Sequence, residues 1–250
     1  CSNLSPDDVR RTFEQAMRSH RLEPAPRIVL APEHEFVTFD CDAGRGRAGN
    51  SNAETKECGG AHVVTVGRSV VDMSIACPAL RIESKDTLEA WALHEGAHVK
   101  LKHVRCRRLE IQRLCVGWAS EAQGRKTVTR LLKAQGAASV DKLSEEGAAR
   151  FRNDYLRACL EAKRDQFDAF AQKQEDEADA EAQRLARPRA MECAMHGAII
   201  YLKTIGEQSD TLHNTPEDRL FDAEERGTAG PSALPRSILP SAPDATFSGH

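Results

Sequence analysis

In residues 91–103, "WALHEGAHVKLKH", two histidines four positions apart bracket a glutamate. Few short patterns constrain a fold more, because they have a use only on a helix. At 3.6 residues per turn, positions four apart differ by about 40° around the axis, so His94 and His98 project from nearly one face and both imidazoles reach one metal ion. Glu95 lies about 100° from His94, beside the metal, where its carboxylate takes a proton from water. Zinc brings the pKa of bound water from about 15.7 toward about 7 and polarises a carbonyl, which suits peptide hydrolysis at neutral pH. The pattern alone is moderate evidence, since nine histidines produce it by chance on the order of a few per cent of the time. Its context strengthens it. "DTLE" reads as a capping box with Asp86 as N-cap and Glu89 three residues on, which predicts a helix from Asp86 at least to His103. Trp91, Ala92 and Val99 are available to bury its other side.

The rest of the composition bounds the setting. With 250 residues, 40% of them hydrophobic, the chain suffices for one sizeable core. Thirty-five basic against 38 acidic residues give a net charge of −3, so no global field pulls it toward nucleic acid or an anionic membrane surface. No apolar run approaches the length of a membrane span; "HGAIIYL", residues 196–202, reads as a buried segment. The first residue is Cys1, and a chain opening "CSN" resembles a bacterial lipoprotein with lipid carried on that cysteine. The alternative is an arbitrary boundary. Eight cysteines, at 1, 41, 58, 77, 106, 115, 159 and 193, form no CxxC pair, so a cysteine zinc site or a thioredoxin-type centre is not indicated. Cys41 and Cys58 flank a loop-like stretch whose closure favours a disulfide in an oxidising compartment; the alternative is small buried thiols in a reducing cytosol.

Along the chain, Ser5, Pro6, Asp7 and Asp8 signal a helix start, and residues 6–20 form an amphipathic helix. "PRIVLAP" and "EFVTFDC" read as short strands and "AHVVTVGRSVVDMS" as a longer one. The intervening "DAGRGRAGNSNAETKE" reads as irregular. Residues 105–136 and about 143–186 are charged and helical in period, with Pro188 as a stop. "PRAMECAMHGAIIYLKTIG" is one more helix, ended by Gly206. From about residue 227 the chain is dense in Pro, Gly, Ser and Ala, which predicts a disordered tail over 227–250 after a domain spanning 1–226.

A tetrahedral site needs a third protein ligand. After His98 come "VKLKH", without the glycine of HExxHxxGxxH and with His103 only five positions on, which rejects the metzincin arrangement. The downstream "QKQEDEADAEAQ" offers Glu175, Glu177 and Asp179 on one helical segment. Glu175 and Asp179 share a face, so one can bind metal while the other accepts a ligand histidine's free ring N–H.

"TLEAWALHEGAHVKLKH", with "EDEAD" downstream, resembles the HExxH helix and the ExEAD signature of the HtpX and CAAX prenyl endoprotease family of gluzincin metallopeptidases. It is closest in style to the soluble periplasmic members of the BepA type. The resemblance implies zinc held by His94, His98 and Glu175, with Glu95 as base and Asp179 in support. "HNTPEDRL" is similar to that family's HPxPxxR segment, without the proline directly after the histidine. It implies Arg219 as a partner near the site. For His213 it implies a place beside the metal, against which a capping or surface role is as good a reading. The family's sheet binds an extended substrate on its edge strand.

The expectation is therefore an α+β, mainly helical, zincin-like domain with a small sheet beside the HExxH helix. Its implied function is that of a zinc endopeptidase acting on polypeptide bound as an extended strand, with no nucleic-acid partner and no transmembrane span. Its implied place is the periplasm or the outer membrane, with the cytoplasm as alternative. The rival reading is a metal-binding quality-control or chaperone-like factor with weak or gated proteolysis.

Overall fold

The computed structural model describes residues 4–31, 37–41, 45–48, 53–75, 83–205 and 215–229. Cys1, Gly206, His213 and the expected tail beyond 229 lie outside the described residues. Helix α1 (Pro6–Ser19) starts where expected: the Ser5 side chain accepts the Asp8 N–H, the Asp8 carboxylate accepts the Ser5 N–H in return, and Pro6 takes the first position. Strands β1 (Arg27–Ala31), β2 (Val37–Asp40), β3 (Arg45–Ala48), β4 (Ala53–Cys58) and β5 (Ala61–Gly67) follow. They form a three-stranded sheet in the order β1-β5-β4 and a separate β2-β3 pair. β5 runs parallel to β1 and antiparallel to β4, with Gly59 and Gly60, both at positive φ, making the β4–β5 turn.

Two sequence expectations fail here. The stretch between Cys41 and Cys58 is not irregular, since β3 and β4 occupy much of it. Pairing with β5 overrides the weak strand propensity of "AETKEC". The long strand over 61–74 is instead β5 followed by helix α2 (Arg68–Ile75). Val70 and Met73, three apart, are both buried, a spacing that only a helix places on one side.

Helix α3 (Ser84–Lys100) is the centre of the molecule. Every residue from Ala90 to Val99 is buried, which is the pattern of a helix covered on all sides. Val9, Phe13 and Met17 of α1, Val64 and Val66 of β5, Val70 and Met73 of α2, and Met191 and Met195 of α8 (Ala190–Ile205) belong to the same apolar core as Leu88 and Leu93. The helix starts two residues before the expected cap: Glu83 is the N-cap, without a side-chain bond. Asp86 is in the first turn, where it pairs with Arg187 at 3.2 Å.

Nor does α3 run to His103. It ends at Lys100, Lys102 adopts left-handed backbone (φ 58°, ψ 31°), and His103 opens a new helix, α4 (His103–Ala119). Helices α5 (Ala122–Ala134) and α6 (Glu145–Ala162) complete a helical arm, with a short 3₁₀ turn at Val140–Lys142 between them. The arm has its own small core around Trp118, with Tyr155 and a Cys115–Cys159 disulfide. Helix α7 (Arg164–Leu185) returns along α3, and α9 (Pro216–Ala229) closes over it. α9 carries helix three residues past the expected domain boundary at 226. The Cys41–Cys58 disulfide is present, Cys193 is also disulfide-bonded, and Cys106 is a free thiol. The chain is thus mainly helical with a small sheet, and no helix among the described residues is long and apolar enough to cross a membrane.

Candidate metal centre

The antiparallel run of α7 beside α3 brings residues nearly eighty positions apart into contact. His94 Nε2 lies 3.1 Å from His98 Nε2 and 3.1 Å from Glu175 Oε2, and His98 Nε2 lies 3.3 Å from the same oxygen. All three side chains are buried, and together they could hold a metal ion. A tetrahedral zinc with bonds of about 2.0–2.1 Å separates its ligand atoms by about 3.3–3.4 Å. The observed triangle agrees within a few tenths of an ångström. Three electron-pair donors packed so closely repel one another unless a cation lies among them, and this donor set of two imidazoles and one carboxylate suits zinc.

The surrounding hydrogen bonds decide which ring nitrogen faces the triangle. His94 Nδ1–H donates to Asp179 Oδ1 at 2.8 Å, which leaves the lone pair on Nε2. Asp179 is in turn held by Arg219, whose Nε and Nη2 each donate to it at 2.8 Å. Arg219 comes from α9, whose first turn Thr215 caps by accepting the Asp218 N–H, and its guanidinium lies over the Trp91 ring.

Burial alone would push the His94 imidazolium down, but Asp179 and Glu175 outweigh it and raise it to about 9. Burial would likewise raise the Asp179 carboxyl; Arg219 and His94 hold it well below the usual carboxylate range. The centre therefore carries a negative potential strong enough to hold a cation out of water, be it a proton or a metal.

His98 has a second chain of support. Its Nδ1 lies 2.9 Å from His103 Nδ1, and His103 Nε2 lies 3.2 Å from Glu177 Oε2. With His98 Nε2 facing the triangle, Nδ1–H donates to His103 Nδ1 and His103 Nε2–H donates to Glu177. Burial, followed by the neighbouring His98 and Arg107, pushes His103 down to about 3 and keeps it a neutral acceptor. In an unbroken helix His98 and His103 would point about 140° apart. The left-handed turn at Lys102 is what turns His103 back toward His98. Arg107, one turn further on α4, donates through Nη2 to Glu175 Oε1 and through Nε to Gln174 Oε1, the latter at 2.8 Å.

Glu95, which follows His94 on α3 and is not one of the three, is buried, and the Thr55 hydroxyl of β4 donates to its Oε2 at 2.8 Å. That bond fixes the carboxylate's orientation and places β4, at the edge of the three-stranded sheet, alongside the centre. Of the residues named from sequence, His94, Glu95, His98, Glu175, Asp179 and Arg219 are thus assembled in one buried cluster; His213 lies outside the described residues. Sequence reasoning missed Thr55 and Arg107, named Glu177 without giving it a role, and demoted His103. The HxxxxH spacing was the one available signal, and it misleads unless the helix break is known. Comparison with protein-family models, with curated proteins and with solved structures found no match for this chain.

Proposed function

We propose that this chain is a zinc-dependent endopeptidase of the gluzincin type, with a zincin-like domain related in plan to the HtpX and CAAX prenyl endoprotease family. The observation that carries the reading is the buried His94–His98–Glu175 triangle with a carboxylate, Glu95, beside it and not in it. Zinc bound there supplies a Lewis acid that makes water nucleophilic near neutral pH and polarises the scissile carbonyl. His94 and His98 would hold the ion through Nε2, their rings oriented by Asp179 and His103. Glu175 adds one negative charge, and its other oxygen is satisfied by Arg107. Glu95, held by Thr55, takes the proton of the attacking water and passes it to the leaving amine. The substrate polypeptide lies extended beside β4, the strand that reaches the base. Three disulfide-bonded segments, at Cys41–Cys58, Cys115–Cys159 and Cys193, favour an oxidising compartment such as the periplasm.

The test is metal content and peptide hydrolysis measured together. The wild-type chain is expected to hold one zinc per chain, to lose hydrolysis on removal of the metal by a chelator and to regain it on addition of zinc. Glu95→Gln is expected to keep the zinc and lose about 10²–10⁴-fold in rate. Equal hydrolysis by the two proteins overturns the reading. Zinc binding with no hydrolysis in either, together with suppression of client aggregation in both, would instead assign the chain to metal-bound holding of unfolded proteins.

A further inference from the structure

The net charge of −3 conceals a segregation. Residues 102–163, which are α4, α5, α6 and their connections, hold 14 of the 35 basic residues and only 7 of the 38 acidic ones, a local net charge of +7. Helix α5 is the extreme case, with four basic residues and no acidic one. At helical spacing Arg125, Lys126, Thr129, Arg130 and Lys133 fall within about 140° of arc, and all five are exposed. The opposite arc holds Gly124, Val128, Leu131 and Leu132, of which only Gly124 is fully buried. This is the composition of a helix that presents one face to an anionic surface: cations across that face, apolar side chains turned toward the rest of the arm, and no acidic side chain on the helix to repel phosphate.

A second observation distinguishes among anionic surfaces. Five of the seven exposed large hydrophobic residues among the described residues lie on or next to this arm, at Leu101, Leu109, Val116, Val140 and Leu156. Leu109 and Val116 are seven apart on α4 and alternate with exposed Arg105 and Arg113 along one stripe. A nucleic-acid phosphate backbone has no use for such residues, and the aromatic side chains that could stack on bases, Trp118, Phe151 and Tyr155, are packed within the arm. Headgroups with acyl chains beneath accept both cations and apolar side chains.

We infer that the α4–α6 arm docks the protein on an anionic phospholipid bilayer, with the basic face of α5 on the headgroups. Arg107 and His103 at the base of α4 support the metal centre, so docking through the arm holds that centre at a fixed distance from the membrane surface.

The experiment is vesicle co-sedimentation of the full, zinc-loaded chain prepared without any acyl modification. The chain is expected to sediment with mixed phosphatidylglycerol–phosphatidylcholine vesicles at about 0.1 M salt, to be released at about 1 M salt where the screening length falls to about 3 Å, and to ignore pure phosphatidylcholine. Replacing Arg125, Lys126, Arg130 and Lys133 together by glutamine, which keeps helix propensity, is expected to weaken binding at least about 30-fold. The same charge change at exposed Arg18, Arg68, Arg187 and Arg189, outside the arm, leaves it within about threefold of wild type. Equal binding to both vesicle types, or undiminished binding by the α5 variant, overturns the proposal. So does capture of polyglutamate or duplex RNA by a chain that ignores the vesicles. None of these readouts depends on whether the metal centre hydrolyses peptides.

Discussion

Gly96, between the two ligand histidines, faces away from the metal centre and toward the end of α1. A Cβ there would lie 2.4 Å from His20 Cδ2, and the imidazole cannot swing aside because its Nε2–H donates to the Leu93 carbonyl at 2.7 Å. Glycine to alanine within a helix gains about 1 kcal/mol in propensity, but overpacking of a buried contact costs about 1–3 kcal/mol. Gly96→Ala is therefore expected to destabilise the fold by up to about 2 kcal/mol in urea unfolding, and His20→Ala in the same chain should remove the penalty. If Gly96→Ala is more stable than wild type, the contact is not a constraint. Asp179 poses the opposite problem, of charge instead of volume. Asp179→Asn keeps an acceptor for His94 but strips the buried Arg219 of its counter-ion, a change that costs about 3–5 kcal/mol. Zinc affinity in chelator competition is expected to fall about 10–100-fold as the His94 ring loses its fixed orientation. Unchanged affinity with lowered stability would show that Asp179 serves only the packing of α9.

Between elements, the junction of α1, α3 and α7 turns on Glu181. It accepts hydrogen bonds from Arg184 on its own helix and from Lys100 of α3, and it lies 3.8 Å from His20 Nδ1 at the end of α1. Arg184, against the opposing effect of burial and with help from Lys100, lowers its carboxyl from 4.5 to about 2. A depressed folded value means that Glu181 contributes its full stability above about pH 4.5 and loses it as the pH falls toward 2. The stability gap between wild type and Glu181→Gln is therefore expected to be constant from pH 7 to about 5 and to close below that. A gap independent of pH would mean that the residue acts by packing alone. The helices at this junction could be read from sequence, since Ser5 and Pro6 start α1, the HExxH spacing demands α3, and Glu175 and Asp179 share a face. What could not be read depends on tertiary choice. Valines in "GRSVVDMS" suit a strand as well as the helix they form, and β4 exists because β5 pairs with it. The left-handed turn at Lys102 uses lysine where glycine would have given notice, and so the chain of contacts from His98 through His103 to Glu177 escaped detection.

At the scale of the whole molecule the described residues form two apolar centres, a large one around α3 and a small one around Trp118 in the arm. The metal centre belongs to the first, because its ligands come from α3 and α7. Helix α4 links the metal centre to the arm, through His103 and Arg107 at one end and Cys115 and Trp118 at the other. Eight cysteines allow too many pairings for sequence to select one, yet the fold spends the Cys115–Cys159 bond on the smaller centre, closing a separation of 44 residues. A core of one tryptophan, one tyrosine and a few aliphatics is marginal by itself, and a bridge over a loop of that length stabilises by about 2–4 kcal/mol. Replacing both cysteines by alanine is therefore expected to loosen the arm selectively. Amide hydrogen exchange should quicken by about 10²-fold or more across α5 and α6, while the amides of α3 and the zinc affinity stay near wild type. Exchange that quickens equally in α3 would mean that arm and metal centre unfold as one unit, and the arm would then be part of what holds the ligands in place.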